Sequence, residues 1–307
     1  MTDSRAAAPI ILFAFNRPTH LDACLTALAV NRLARHSHLL IHCDGPRQEA
    51  DLAAVAAVRQ RARATQGFGE VEIVERADNF GLARSITSMA AEAARRWPRF
   101  IVVEDDLRVS PHFLDYMNDA LERFADDGRV GTVHGYMYPV AGLPEYFFTP
   151  GANSWGWATW RDRWTFYEAD GRALLRALRA AGTLAGFDHA AGAGFAKMLV
   201  DQILGRNDSW AVRWHASLFL RGLLTLQPGR SFVQNIGTDD SGRHSRRTDV
   251  FETEARTDYA GLTVGAPAPD PTASAAIDDF FLSKVMPSRW RRLAARAYVR
   301  AVSPLLF

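Results

Sequence analysis

The sequence is poor in cysteine, and its first apolar run is short. Its two cysteines, Cys24 and Cys43, stand among 307 residues and lack the spacing of a metal finger. Two thiols exclude a disulfide scaffold and favour a reducing compartment, so we expect a cytoplasmic protein. The run Ile10–Phe15 is too short to cross a bilayer, and the nine residues before it do not resemble a secretory signal. We therefore expect neither a signal peptide nor a membrane-spanning helix.

An excess of one charge is also lacking, because 36 lysines and arginines nearly balance 34 aspartates and glutamates. This balance conceals a segregation along the chain. From Phe280 onwards there are six basic residues and no acid, so this part carries +6 and the first 279 residues carry −4. A mildly acidic body argues against nucleic acid as a partner, and the basic end of the chain needs a separate explanation.

What is present is the composition of a globular protein, with 48% hydrophobic and 23% charged residues. Short apolar runs rich in β-branched and aromatic residues alternate with segments of helical composition, which predicts a parallel sheet covered by helices. The predicted strands are Ile10–Phe15, His38–His42, Val71–Glu75, Phe100–Glu104, Leu223–Leu226 and Phe232–Ile236. The predicted helices are Pro18–Leu33, Gln48–Thr65, Leu82–Arg96, Leu174–Ala180, Ala211–Arg221 and one that begins at Pro111 after a Ser110 cap. In such sheets ligands bind at the carboxyl ends of the strands.

Three consecutive carboxylates, Glu104, Asp105 and Asp106, stand at the end of one predicted strand. Crowding three anions is costly unless a cation lies among them, and a hard divalent ion with oxygen ligands is the natural partner. Such an ion holds a diphosphate and takes up charge on a leaving phosphate. One alternative is a solvated loop. An acidic pair after a strand also suits phosphoryl-acceptor domains, which need further Lys and Ser/Thr positions that are not assignable here.

The acidic triplet lies within Val102–Phe113, and other short segments precede and follow it. These are Ile11–Pro18, His42–Gly45, Asn153–Ala158, Asn207–Trp210 and Pro228–His244. In this order they resemble the donor-binding turns, the metal-binding segment, the donor-sugar segment, the catalytic-base region and the closing loop of one family. This is the N-acetylglucosaminyltransferase I family, nucleotide-sugar glycosyltransferases of the GT-A fold. The resemblance spans about residues 10–244, and the acidic segment is its most specific part.

The resemblance implies an α/β fold with a Rossmann-like, mixed and mostly parallel sheet flanked by helices and followed by a C-terminal helical tail. We expect residues 1–264 to form the catalytic domain. Its donor-binding part would be about 9–135 and its acceptor and closing part about 136–264. Residues 265–274, rich in Pro, Ala and Gly, are predicted to be a linker, and 275–307 a basic helical tail.

The resemblance also assigns roles to the carboxylates. Asp106 would ligate Mn²⁺ or Mg²⁺, which bridges the diphosphate of the donor. Glu104 and Asp105 would contact the donor sugar and the ribose. Because such a metal keeps water and phosphate oxygens as further ligands, a single protein carboxylate can suffice.

Further donor contacts are implied in the turns after the first two strands. Asn16 and Arg17 would lie in the donor-binding turn, with Arg17 on the nucleotide or phosphate, and Asp44 would bind the uracil. An Asp-Gly turn explains Asp44 equally well, and a solvated charge at a helix start explains Arg17.

Further donor contacts would come from three later segments. The helix after Asn79-Phe80-Gly81 could face an anion with its N-terminus, to which Arg84 adds a charge, although Arg84 could equally lie on a solvated helix face. Trp155 and Trp157, with Gly156 between them in the donor-sugar segment, could form a stacking wall for a sugar ring; the alternative is core packing. Arg243 and His244 would close over the diphosphate within a loop, unless that loop is only a surface hairpin.

Sugar transfer needs a base that takes the proton of the acceptor hydroxyl, and Asp208 is our candidate. The family's animal enzymes carry two adjacent acids before the tryptophan, whereas this chain has Asp208-Ser209. Asp208 could instead cap the following helix. Asp239 and Asp240 are the reserve candidates for the base.

These observations predict an inverting, metal-dependent enzyme that transfers a hexosyl or N-acetylhexosaminyl group. The donor would be a nucleoside-diphosphate sugar, with UDP expected. The acceptor would be a hydroxyl of a glycan or lipid-linked glycan, as in the assembly of bacterial surface polysaccharide or lipopolysaccharide. One rival is a sugar-nucleotide nucleotidyltransferase, which is disfavoured because Asn16-Arg17-Pro18-Thr19 lacks a glycine-rich phosphate loop. A non-catalytic glycan-binding protein is disfavoured by the intact carboxylates.

The basic tail contains an amphipathic pattern over 288–302. Trp290, Ala294, Ala297, Tyr298 and Ala301 fall on one helical face, and a stripe of arginines lies beside them. This pattern suits a helix on an anionic membrane, which would bring the protein to the cytoplasmic face of the inner membrane. A helix packed on the body with its arginines in solvent is the alternative.

Overall fold

A computed structural model describes residues 7–239 and 249–306 of the chain, and all predicted strands and helices occur in it in the predicted order. The strands are β1 (Ile10–Ala14), β2 (His38–Cys43), β3 (Glu70–Glu75), β4 (Arg99–Glu104), β5 (Leu107–Val109), β6 (Val130–His134), β7 (Tyr146–Pro150), β8 (Trp157–Trp160), β9 (Leu224–Pro228) and β10 (Val233–Asn235). The helices are α1 (Pro18–Ala29), α2 (Leu52–Arg63), α3 (Leu82–Arg96), α4 (Phe113–Arg123), α5 (Arg161–Trp164), α6 (Gly171–Ala180), α7 (Leu184–Phe187), α8 (Phe195–Ile203), α9 (Trp210–Leu220), α10 (Pro271–Phe280) and α11 (Arg289–Val302).

Eight strands form one sheet in the order β3-β2-β1-β4-β8-β6-β9-β7. The strands from β3 to β4 are parallel, β8 runs antiparallel to both of its neighbours, β9 is parallel to β6, and β7 is antiparallel to β9. All five residues of β1 are buried, as expected for a strand covered by helices on both faces. The predicted fold class, a mixed and mostly parallel sheet flanked by helices with a C-terminal helical tail, is confirmed.

Helices cover both faces of the sheet. One apolar core joins the sheet to α1, α2 and α4, and a second core on the other face joins it to α3, α5 and α9. The helix predicted to begin at Pro111 begins at Phe113 instead, because the Ser110 hydroxyl accepts the backbone N–H of His112 in a turn that precedes the helix.

The carboxyl edge of the sheet collects the loops of interest. β1, β2 and β4 are parallel, so the residues that follow them emerge at the same edge. Trp157 of the antiparallel β8 pairs with Val102, so the residues before β8 lie at that edge too. A second, two-stranded sheet pairs β10 with β5, directly after the acidic triplet.

The C-terminal part packs on the body. α10 begins at Pro271, inside the range predicted to be a linker, because the Asp270 side chain caps its first turn. Ile277 and Phe280 join a core with Phe147 of β7. Val299 of α11 lies in another core formed with α6 and α8. In the described ranges, no helix combines the length and the apolar character needed to cross a membrane.

Candidate active site

The acidic triplet meets Arg17 at the carboxyl edge of the sheet. Asp105 and Asp106 form the turn between β4 and β5, and the backbone N–H of Asp105 still bonds to the Phe13 carbonyl at 2.9 Å. The Arg17 guanidinium donates to Asp105 and, at 3.0 Å, to Asp106 Oδ2. The Phe15 backbone N–H donates to the second Asp105 oxygen at 3.3 Å. The structure thus brings together the turn after β1 and the turn after β4, as the sequence predicted.

Three carboxyl groups crowd together at this point. Burial raises the pKa of Glu104, and the neighbouring Asp106 and Asp105 raise it further. Burial also raises the pKa of Asp105 to about 6 against the opposing effect of Arg17. Burial acts to lower the pKa of Arg17, but the two aspartates outweigh it and raise that pKa overall. One guanidinium thus faces three carboxyl groups, and a further cation would favour their ionised forms and would itself be stabilised here.

The protein side chains of this site fit a divalent ion only if other ligands complete its coordination shell. Within residues 7–239 and 249–306, no three His, Cys, Asp or Glu side chains lie close enough to hold a metal ion by themselves. The Asp106 side chain keeps 18% of its surface exposed, so one carboxylate is accessible at the edge. Hard cations accept one protein carboxylate when phosphate oxygens and water complete the shell. The residues present fit a metal shared with a bound diphosphate.

The segment after β10 closes on Asp106. The Ile236 backbone N–H donates to the Asp106 carbonyl at 2.8 Å. At Gly237, an added Cβ would lie 2.8 Å from Asp106 Cβ, so the close approach needs glycine. His20 of α1 lies 3.2 Å from the Ile236 carbonyl and 3.3 Å from Asp239. Gly237 lies in the segment Pro228–His244, which resembles the closing loop of the family. The sequence did not indicate His20, because its contact depends on β10 folding back onto β5.

The Asp44 carboxylate, which was predicted to bind uracil, already accepts hydrogen bonds from groups of the protein. Its two oxygens accept four hydrogen bonds, from the backbone N–H groups of Gly45, Phe80 and Gly81 and from the Asn79 side chain, at 2.8–3.1 Å. A carboxylate has about four acceptor sites. The predicted contact with uracil would have to share oxygens that already tie β2 to the start of α3.

The start of α3 therefore already faces an anion, and that anion is Asp44. Arg84, predicted to serve a donor phosphate there, is exposed and places its guanidinium 3.8 Å from the centre of the Phe80 ring. Arg76 lies 4.7 Å from the same ring centre. Asn16 donates to Asp51 at 2.9 Å and so holds the loop before α2 beside the turn after β1.

The tryptophan pair is divided between the two faces of the sheet. Trp157 is fully buried among Trp164, Trp210 and Trp214, and a side chain without exposed surface cannot stack on a ligand. Trp155 is half-buried against the other core, with its ring centre 4.7 Å from that of Tyr136. The stacking wall predicted from Trp155 and Trp157 is thus wrong for Trp157, and only Trp155 stays available.

Gly156 separates the two tryptophans and explains their division. Its φ is +68°, and an added Cβ would lie 2.9 Å from Val233 Cγ2. This left-handed conformation breaks the alternation of a strand, so residues two apart no longer share a face. Gly156 therefore determines the path of the chain between the two tryptophans, and its predicted donor contact stays a prediction.

Asp208 lies in the loop between α8 and α9, and its side chain is 72% exposed. Arg213 is its ion-pair partner at 3.4 Å. The helix cap is Ser209, whose hydroxyl accepts the Val212 N–H at 3.2 Å, so capping does not occupy Asp208. Trp210, which follows this loop, packs on Trp157, with the two ring centres 5.5 Å apart. In the described part of the chain, no hydrogen bond or ion pair joins Asp208 to Asp106.

Other predicted residues fall outside the described ranges. Arg243, His244 and the reserve base Asp240 are among them, so their roles stay predictions. The other reserve, Asp239, lies beside His20, as described above.

No family model and no curated protein matches this chain. Similar solved structures include the mannosyltransferase PcManGT from Pyrobaculum calidifontis in complex with GDP-Man and Mn²⁺, at 17% identity and TM-score 0.38, with 57% of this chain and 47% of that chain covered. The galactosyltransferase LgtC in complex with donor and acceptor sugar analogues is 13% identical, with TM-score 0.36 and 71% and 72% covered. Glucosyl-3-phosphoglycerate synthase from Mycobacterium tuberculosis, in complex with Mn²⁺, UDP and glucosyl-3-phosphoglycerate, is 14% identical, with TM-score 0.35 and 59% and 68% covered. This chain spans about half of the mannosyltransferase. At such remote similarity, statements about activity have to rest on its own residues.

Proposed function

We propose that this chain is an inverting, metal-dependent glycosyltransferase of the GT-A type, related to the N-acetylglucosaminyltransferase I family. It would transfer a hexosyl or N-acetylhexosaminyl group from a nucleoside-diphosphate donor, with UDP expected, to a hydroxyl of a glycan or lipid-linked glycan. Assembly of a bacterial surface polysaccharide in the cytoplasm would use such an enzyme. The observation that carries the proposal is the cluster of Glu104, Asp105 and Asp106 at the carboxyl edge, compensated by Arg17 alone among its hydrogen-bonded partners in the described residues.

The donor diphosphate would lie beside Asp106, which would hold Mn²⁺ or Mg²⁺. When bound, the metal neutralises charge on the diphosphate and so makes it a better leaving group. Arg17 would turn from the aspartates toward a phosphate, since its charge is then better compensated there. Asp105 and Glu104, fixed by the β4 backbone, would face the ribose and the sugar. The backbone after β10 would keep water from one side of Asp106.

On the acceptor side, Asp208 would accept the proton of the attacking hydroxyl. Its exposure and its single long ion pair leave its oxygens accessible to a substrate. Attack from the side opposite the diphosphate in one displacement inverts the anomeric centre, and a positioned base contributes about 10²–10⁴-fold to such a reaction.

The proposal is tested by a screen of donors. UDP-, GDP- and CMP-sugars are added with Mn²⁺ or with EDTA, and the melting temperature of the protein is measured. A ligand that binds only the folded state raises this temperature. We expect one class of nucleotide sugar to stabilise the protein in Mn²⁺ and not in EDTA. If none of the donors stabilises it in Mn²⁺, the proposal is wrong.

A further inference from the structure

Helix α11 (Arg289–Val302) carries two separate apolar stripes, and one of them packs on the body. Val299 is buried in the core that includes Leu199 of α8, and Val302 packs beside it. Tyr298 on the same side donates its hydroxyl to Asp201 at 2.7 Å. This inner stripe fixes the orientation of the helix, because its side chains cannot leave the core without exposing apolar surface.

The second stripe faces away from the body. Trp290, Ala294, Ala297 and Ala301 are all exposed, and their spacing of four, three and four residues places them on one helical face. The Trp290 side chain is 79% exposed, and Leu293 beside this stripe is 41% exposed. We call Trp290, Leu293, Ala294, Ala297 and Ala301 the outer face of α11.

Large apolar side chains in solvent are concentrated here. The described residues include eight exposed large hydrophobic side chains, and three of them, Trp290, Leu293 and Leu305, fall within the last 18 described positions. Tryptophan combines a large apolar ring with a polar N–H, a pairing that suits the boundary between water and hydrocarbon. Scattered exposed leucines are ordinary on protein surfaces, but such a concentration marks an interaction site.

Arginines flank the outer face on both sides. Arg289, Arg291 and Arg300 are exposed, and their side chains make no hydrogen bond or ion pair within the described residues. Beside them is a cavity of about 330 Å³ lined by Arg289, Arg292 and Arg296 together with Ala190, Leu282 and Leu293. No acidic side chain lines this cavity, and none occurs in the sequence after Asp279. Arg292 and Arg296 donate to backbone carbonyls, so in the described residues no arginine of this surface has an acidic hydrogen-bond or ion-pair partner.

We propose that the outer face of α11 and its arginines form a docking surface for a bilayer that contains anionic phospholipid. Trp290 and Leu293 enter the boundary between headgroups and acyl chains, and the arginines contact lipid phosphates. The complementarity of charge selects this occupant, because an uncompensated basic rim around an apolar strip matches an anionic headgroup layer above hydrocarbon. The inner stripe stays packed on the body, so docking requires no unfolding of the tail.

The position of α11 would also place a docked bilayer near the proposed acceptor side of the site. Arg206, two residues before Asp208, donates to the Tyr298 hydroxyl on the inner side of the helix. A bilayer held by α11 would therefore lie near the loop between α8 and α9. Only this relation to a lipid-linked acceptor rests on the proposed function; the docking surface itself does not.

Co-sedimentation of the full chain with vesicles tests the proposal. Vesicles of phosphatidylcholine alone are compared with vesicles that also contain phosphatidylglycerol. We expect binding to the second kind only, and its loss at about 1 M salt, where the screening length falls to about 3 Å. Added inorganic phosphate at constant ionic strength should not displace the protein, because a bilayer and not a single phosphate is the ligand. Displacement by phosphate, or equal binding to both vesicles, would overturn the proposal.

Variants then locate the surface. Since each arginine near an anionic bilayer contributes about fivefold to binding, Arg289→Gln, Arg291→Gln and Arg300→Gln together should weaken it about a hundredfold. The matched control changes three other exposed arginines, Arg35, Arg95 and Arg179, to glutamine and lowers the net charge equally. The control should retain vesicle binding to within a few fold; equal losses in both variants would mean that net charge alone is responsible.

The apolar part has its own pair of variants. Trp290→Ala should weaken binding to anionic vesicles, whereas Leu52→Ala on α2, a side chain that is also exposed, should not. Both side chains lie outside the cores, so melting temperatures should match that of the wild type. If Trp290→Ala binds anionic vesicles as tightly as the wild type does, the proposal fails. It also fails if the triple arginine variant keeps its affinity for vesicles and instead loses affinity for another protein or for DNA.

Discussion

Arg17 occupies the position where a metal would compensate the aspartates. It bonds to both Asp105 and Asp106, and burial raises the pKa of Asp105 against the opposing effect of Arg17. A metal at Asp106 and the guanidinium at the same carboxylate repel each other. Binding of the metal should therefore displace Arg17 toward the diphosphate.

Replacing Arg17 tests this exchange. Arg17→Gln should bind Mn²⁺ at least about tenfold more tightly than the wild type in the absence of nucleotide, since a positive charge a few ångströms away costs several kcal/mol even at an effective dielectric constant of 20. Free Mn²⁺ is measured by electron paramagnetic resonance during a titration. Arg17→Lys keeps the charge and should behave like the wild type. Equal affinities in all three proteins would show that Arg17 does not compete with the metal.

Individual residues of the site were predictable to very different degrees. The sequence predicted that Arg17 and the aspartates would all contact the donor at the carboxyl ends of the strands, but not that Arg17 pairs with Asp105 and Asp106. It did not predict the four donors around Asp44, since three of them come from a loop more than thirty residues away in the chain. It was wrong about Trp157, because the positive φ of Gly156 reverses the expected face.

At the scale of elements, the two-stranded sheet of β5 and β10 shapes the site. It carries the chain from the far half of the molecule back onto Asp106, where Gly237 lies against the carboxylate side chain. The long strands and helices of the first half were predictable from periodicity. Of the two short strands here, β10 was predicted within Phe232–Ile236, but β5, with only three residues, gives no periodic signal. The pairing of β10 with β5, and with it the way in which the site closes, was therefore not predictable.

Gly237→Ala tests the importance of this approach. The added methyl group collides with Asp106, so either the carboxylate or the segment after β10 must move. We expect Mn²⁺-dependent binding of the nucleotide, measured by calorimetry, to weaken about tenfold or more, since a displaced metal-site geometry commonly costs 10–100-fold. Gly128→Ala, where an added Cβ meets nothing within 4 Å, is the control. Unchanged binding in Gly237→Ala would show that Asp106 tolerates the shift.

The loop between α8 and α9 gives a second test at this scale. Asp208→Asn should leave donor binding intact and lower transfer by about 10²–10⁴-fold, the contribution of a general base. Release of the nucleoside diphosphate in the presence of acceptor measures it. Ser209→Ala removes the neighbouring helix cap and should lower the melting temperature with a much smaller effect on transfer. Near-wild-type turnover in Asp208→Asn would move the base elsewhere.

At the scale of the whole molecule, the C-terminal part is both a structural element and an exposed surface. Ile277, Phe280 and Phe281 are buried against β7 and its surroundings, and Val299 and Leu306 are buried against α6 and α8. The alternative of a helix packed on the body is correct for this inner side. Of the five residues predicted to share one apolar face, Trp290, Ala294, Ala297 and Ala301 are exposed on the outer side, whereas Tyr298 lies on the inner side and bonds to Asp201. The membrane role of the outer side stays a proposal.

A truncation after Ser274 should consequently unfold the chain. Each large apolar side chain contributes about 1.5–3 kcal/mol when buried. Five such losses approach or exceed the total stability of about 5–15 kcal/mol that is common for proteins. Thermal unfolding and circular dichroism measure the result. A truncated chain that melts cooperatively near the wild-type temperature would show that the tail is only an appendage.

The central claim is that Asp106 holds a divalent ion for a nucleoside diphosphate, and calorimetry of UDP binding with Mn²⁺ or with EDTA measures it directly. In the wild type, Mn²⁺ should raise the affinity for UDP. In Asp106→Asn this increase should disappear, because the side chain that coordinates the metal is itself changed. The loss should exceed the 10–100-fold that is expected when only an outer-shell partner of a metal is changed. The melting temperature without ligand should not fall, since the variant removes one of three crowded carboxylates. If UDP binds Asp106→Asn as tightly as the wild type in Mn²⁺, Asp106 does not hold the metal and the assignment of the site is wrong.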